Sequence, residues 1–223
     1  MAKVKMSKNA ASIDMTAMCD VAFLLLTFFI LTATAKVPEP ITVDTPSSTN
    51  KTKLPSDKLV VVTVGSGKEN VFFDLKGREI RKRTLELMGD KYKMEFTEEE
   101  KNQFALMEGF GVPIEGLSQL LKLSSADRNK EGTQVGIPFD SINNQLKDWI
   151  FYGNIAALNT GKTAYEEAKM KGDSPEVNDF KPKFILKVDG KAAYVHAQNV
   201  ISTFRDLHLN NLNFVTSMEA APL

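Results

Sequence analysis

The stretch DMTAMCDVAFLLLTFFILTATAK, running from Asp14 to Lys36, decides how the rest of the chain is read. From Met15 to Ala35 its only formal charge is Asp20. As a helix rising about 1.5 Å per residue, these 21 residues would reach about 31 Å, close to the hydrocarbon thickness of a bilayer. A cleaved export signal is the alternative. Lys3, Lys5 and Lys8 precede the 11-residue apolar run Val21–Leu31, and Ala33-Thr34-Ala35 has the small-x-small pattern of a cleavage site. Two features favour an anchor. The region before the run is long and carries Asp14 and Asp20, where signals are basic, and Lys36 with the prolines after it suits the end of a membrane helix. The lysines lie before the span, so the positive-inside rule puts the N-terminus in the cytoplasm and exports the remainder.

Asp20 then becomes the question. A carboxylate inside a membrane helix costs about 2.5–3.5 kcal/mol on insertion scales, which makes it a functional candidate. At 100° per residue, Thr16, Thr27 and Thr34 all fall within about 40° of Asp20, with Phe23, Leu24 and Leu31 filling the gaps. Phe28, Phe29 and Ile30 supply much of the remaining apolar surface. The acid thus lies on a sparse polar stripe suited to a protein interface or a hydrated path. Burial favours the neutral form of a carboxyl, so reversible protonation is a role open to an acid in this setting. The structural alternative is an Asp20 at the interface that caps a helix beginning at Val21. Cys19 reads as a small apolar residue rather than a redox or metal site.

This element resembles that of the ExbD/TolR family of inner-membrane proteins. The family has a short cytoplasmic tail, then a polar-Thr-Pro-x-hydrophobic-Asp element that enters a helix rich in leucine and phenylalanine. Here it is Asp14-Met15-Thr16-Ala17-Met18-Cys19-Asp20, followed by VAFLLLTFFILTA; Ala17 stands in place of the proline. A Leu-Pro element that follows the membrane in the family is matched in place by Thr45-Pro46. The resemblance implies that Asp20 is the proton-carrying group. It also implies a stator-type subunit that dimerises within a ring of an ExbB-like polytopic membrane protein and couples the proton gradient to a TonB-like energy transducer. No cofactor is implied. TolR-like envelope maintenance is open on the same residues, as is a membrane-anchored or secreted periplasmic binding protein with no proton role.

Across the 223 residues, 28 basic and 28 acidic side chains cancel, which gives no reason to expect nucleic-acid binding. The single cysteine excludes an intrachain disulfide. The expected division is a cytoplasmic tail at 1–14, a transmembrane helix at 15–35, a linker at 36–57 and a periplasmic domain at 58–223. VPEPITVDTPSSTNKTKLPSD (37–57) holds four prolines and reads as an extended tether. KLVVVTV (58–64) and NVFFDLK (70–76) read as a hairpin about the turn GSGK. REIRKRTLELMG starts a helix, and its run Arg78, Arg81, Lys82, Arg83 reads as a solvated face. KFILKVD (183–189) is a strand. HAQNVISTFRDLHL places Val200, Ile201, Phe204 and Leu207 on one helical face, and NFVTSM closes as a strand. This ending resembles the closing unit of ExbD periplasmic domains. The expected fold is a single transmembrane helix plus a small α+β domain, helices on one face of a sheet, with a helical insertion at about 91–179.

Enzyme signals are weak. AALNTGKT (156–163) fits a phosphate-binding loop loosely, but its first position is alanine and the stretch before it reads partly helical. His196 and His208 are twelve residues apart with no cysteine beside them, so a metal site is not expected. No G-x-S-x-G element occurs, and the chain is not expected to be an enzyme.

Overall fold

A computed structural model describes residues 15–33, 41, 43–45, 47–48, 58–67, 70–130, 132–140, 143–172, 174, 176–215 and 217–218. The chain divides into two compact units, Met1–Val37 and Pro38–Leu223. The first contains one helix, α1 (Met15–Thr32).

The second unit is an α+β domain. In chain order it runs β1 (Ser47–Ser48), β2 (Leu59–Val64), β3 (Val71–Leu75), α2 (Arg78–Tyr92), α3 (Glu98–Leu106), α4 (Ile114–Lys122), the single turn α5 (Ser125–Arg128) and the long α6 (Gln145–Met170). It ends with the short α7 (Val177–Phe180), β4 (Lys183–Val188), α8 (Tyr194–Asp206), β5 (Leu212–Val215) and β6 (Ser217–Met218). The main sheet has the order β3-β2-β4-β5. β3 is antiparallel to β2, while β4 and β5 run parallel to it, and the β4–α8–β5 link is the crossover that a parallel pair requires. β1 pairs with β6 in parallel, and the Gly190 amide donates to the Asp44 carbonyl at 2.8 Å. Part of the proline-rich stretch therefore lies against the domain.

β2 is an unbroken apolar run because it sits between two strands and both of its faces are covered. Val60, Val62 and Val64 join Phe73, Leu75, Phe184 and Leu186 under the helices, where all are buried. Burying each such side chain contributes about 1.5–3 kcal/mol. Leu59, Val61 and Ile185, pointing the other way, form a separate small cluster with Val215. The helix-covered side centres on Trp149 of α6, whose ring meets Phe73, Phe104 and Phe110 at centroid distances of 6.0, 5.9 and 4.8 Å.

The helices between β3 and β4 begin where their caps dictate. Thr97 and Glu100 form a reciprocal capping box at α3, with Glu100 Oε2 accepting from the Thr97 amide at 2.9 Å. The Asn144 side chain accepts from the Lys147 amide at 2.9 Å and starts α6, so that helix begins at Gln145; the preceding Phe139 instead pairs with Asn144 in a β-bridge. Gln145, almost fully buried, accepts from the Ile114 amide at 2.9 Å and so caps α4 from a different helix. This region also closes one sheet edge. Phe73 and Phe110 exchange backbone hydrogen bonds of 2.9 and 3.0 Å, and the Ile137 amide donates to the Val71 carbonyl at 2.8 Å. An exposed β3 edge would offer unpaired amides to other chains, and these bonds remove that hazard.

One expectation is corrected. Arg81 belongs to no solvated face: it is 7% exposed, while Arg78 and Arg83 are exposed. Four and seven residues before Leu85 and Met88, it shares their buried side of α2. Its Nε donates to the Leu75 carbonyl, its Nη1 to the Ala105 carbonyl at 2.9 Å and its Nη2 to Asp74 Oδ1 at 3.3 Å. Across α2, Tyr92 donates to Asp148 Oδ2 at 2.8 Å; burial and that carboxylate hold the phenol well above its ordinary range.

AALNTGKT lies inside α6, so Gly161 serves packing rather than a phosphate loop. Thr163 Oγ1 donates back to the Asn159 carbonyl at 3.1 Å. A Cβ added at Gly161 would overlap the Phe180 carbonyl oxygen, which allows α7 to close on α6 and Lys58 to lie 4.4 Å over the Phe180 ring. Gly161→Val should therefore lower stability by about 1–3 kcal/mol, read as a urea midpoint of the full chain in detergent. Gly116→Ala is the control: nothing lies within 4 Å of its added Cβ, and in a helix the change should be neutral or stabilising by up to about 1 kcal/mol.

Candidate functional site

α1 has no buried residue. Its large apolar side chains range from 53% exposed at Leu25 to 85% at Leu31, so no side of the helix is satisfied by its own chain. In water a continuous apolar surface of this kind is unstable; in lipid it is what a span requires. Among the described residues this is the one helix long and apolar enough to cross a membrane.

Asp20 is the sixth residue of α1, more than one full turn past its start at Met15. The helix therefore does not begin at Val21, and Asp20 is not at a position where its side chain could cap it. The acid is exposed, and among the described residues it meets no hydrogen-bonding or ionic partner. Helical geometry keeps Thr16 and Thr27 within about 40° of it; Thr34 lies outside the described residues. Thr27 is half-buried and its Oγ1 donates to the Leu24 carbonyl at 3.0 Å, while Thr32 Oγ1 donates to Phe28 at 2.7 Å. Both hydroxyls are thus satisfied by their own helix, as apolar surroundings demand. The carboxyl has no such route. Inside a bilayer such a carboxyl would call for a partner helix, a water path or a proton. Cys19, its exposed neighbour, stands about 100° away around the helix.

Among the described residues the second unit holds no acid inside an exposed apolar helix. His196 packs edge-on to Phe139 at 5.8 Å, and His208 lies beyond the end of α8 with a φ of 57°, so the two histidines do not share a helix. Among the described residues no group of three or more His, Cys, Asp or Glu side chains could hold a metal ion.

A family model described as biopolymer transport protein ExbD/TolR matches residues 6–219. The match spans the apolar helix and the whole α+β domain, well beyond the N-terminal element that carries the visible resemblance. No curated protein and no solved structure matches the chain.

Proposed function

Because the chain belongs to the ExbD/TolR family of biopolymer transport proteins, we propose that it is the ExbD-like subunit of a proton-driven inner-membrane motor that energises TonB-dependent outer-membrane transport. Family membership makes it a component of a transport motor rather than an enzyme, and one apolar helix makes it a single-pass membrane protein. The observation that carries the finer reading is Asp20: an acid without a partner, more than a turn inside the chain's apolar helix. Thr16, Thr27 and Thr34 supply the polar face beside it. A proton crossing the membrane field carries about 2.3 kcal/mol per 100 mV, enough to drive conformational work when coupled to a carrier.

The topology follows from charge. Lys3, Lys5 and Lys8 hold the tail at 1–14 in the cytoplasm, 15–35 spans the membrane, 36–57 tethers, and 58–223 with its 91–179 insertion acts in the periplasm. Two copies inside an ExbB-like polytopic partner would give each Asp20 the protein surroundings that its own chain lacks, and a TonB-like transducer would receive the work. Purification of the full chain from membranes tests this. A polytopic partner should accompany it in fixed ratio, and the N-terminal peptide should survive in the mature protein. A chain that begins at Lys36, or one that elutes alone, would overturn the proposal. Loss of envelope integrity in place of loss of uptake on deletion would assign it to TolR-like maintenance instead.

A further inference from the structure

Two cavities adjoin where β4 and β5 begin, one of about 410 Å3 and the other of about 510 Å3. They share Lys181, Pro182, Asn210 and Asn211, so they form one trough. Its apolar lining is Leu158, Pro182, Phe184, Leu209 and Leu212. Its polar lining is five asparagines, at 154, 178, 210, 211 and 213, with the cations Lys181 and Lys183 and the imidazole of His208. Among the described residues no carboxylate lines it. Lys181 and Lys183 are exposed, and among the described residues neither takes part in an ion pair. On α6, Phe151 and Leu158 are each 43% exposed and Ile155 between them is half-buried; the 4-then-3 spacing makes a stripe on the outer side of the helix that runs into the trough at Leu158.

Each part of this lining selects a chemistry. Unpaired ammonium groups with no competing acid favour carboxylates. Amide side chains both donate and accept, which matches peptide groups along a polypeptide. The apolar floor and the α6 stripe take up apolar side chains. A sugar ligand would favour an exposed aromatic platform, and among the described residues the one Phe, Tyr or Trp ring in the lining, Phe184, is 4% exposed. We propose that this trough is a docking site for an acidic segment of a partner polypeptide that also bears apolar side chains. The inference is independent of any proton role for Asp20.

The test uses the full chain in detergent, with empty micelles as the blank. The probes are a fluorescent peptide of alternating glutamate and leucine and its counterpart with lysine for glutamate. The acidic peptide should bind, and more weakly as salt rises. Lys181→Glu combined with Lys183→Glu should weaken it about tenfold or more, and Leu158→Asp should weaken it as well. Carbodiimide activation of the bound peptide should couple it to Lys181 or Lys183 in the unsubstituted chain, a readout that does not depend on a variant folding. Equal affinity for the two peptides, no binding of the acidic one, coupling only at other lysines, or an unchanged affinity in the folded double variant would each overturn the proposal. So would binding of soluble peptidoglycan fragments in place of the peptide.

Discussion

Replacing Asp20 by asparagine should abolish proton-driven transport and leave the membrane complex assembled. Asparagine keeps the shape and the hydrogen-bonding reach of aspartate but has no proton to exchange between two states. Insertion should not suffer, because the substitution removes a group that costs about 2.5–3.5 kcal/mol at the centre of a span. The helix should not suffer either, since Asp20 is past the capping positions and no described side chain depends on it. If Asp20 is the carrier proposed above, the coupling should disappear, because the work of about 2.3 kcal/mol per proton per 100 mV then has no route into the motor. Uptake of a TonB-dependent substrate should fall to the level of a deletion strain, while the membrane-bound amount of protein and its partner stays unchanged. Asp20→Glu retains an ionisable group one methylene further out and should recover part of the activity. Wild-type uptake by the asparagine variant would end the proton-carrier reading and leave α1 as an anchor.

Asp20 stands out in the sequence where other parts do not because of the kind of signal each residue gives. An acid in an unbroken apolar run contradicts its surroundings, so a single residue carries the information. β2, β3 and β4 were legible for a similar reason: LVVVTV and KFILKV are short, β-branched and bounded by turns. Arg81 departs from the solvated face that the cation run predicts because a run of neighbouring cations spans more than one side of a helix. Helical spacing holds the contrary signal, since Arg81 falls within about 40° of Leu85 and about 20° of Met88 while Arg83 lies opposite; Arg78, seven residues before Leu85, is exposed as the first residue of the helix. The strand-like pairing of Phe110 with Phe73 had no signal at all in MEGFGV, because two glycines flank it and no alternation surrounds it. The trough at Lys181 and Lys183 is assembled from α6, the approach to β4 and the approach to β5, so no local window contains it.

Arg81→Met should be the most costly single change in the α+β domain that preserves side-chain volume. The guanidinium reaches three acceptors at two places: the Leu75 carbonyl and the Asp74 carboxylate at the end of β3, and the Ala105 carbonyl in the last turn of α3. Replacing a buried charge with an apolar side chain is often harmless when both partners of the pair are replaced together. Here the acceptors remain. The Ala105 carbonyl loses the donor that reaches it at the C-terminal end of α3, and the Leu75 carbonyl, in a buried site, loses Arg81 Nε. Each deprived acceptor costs about 1–3 kcal/mol, so a total of about 2–6 kcal/mol follows for the two. Asp74 limits the damage, because Lys76 remains 2.9 Å from its other oxygen and it is not left as an isolated charge. The urea midpoint should fall with little change in slope, and amide exchange should rise first in α3, whose end Arg81 holds to the hairpin. Arg81→Lys should recover only part of the loss, since one ammonium cannot reach three acceptors held in the plane of a guanidinium. If methionine proves neutral and α3 stays protected, packing of Phe104 against Trp149 alone fastens that helix, and the buried arginine is dispensable to the fold.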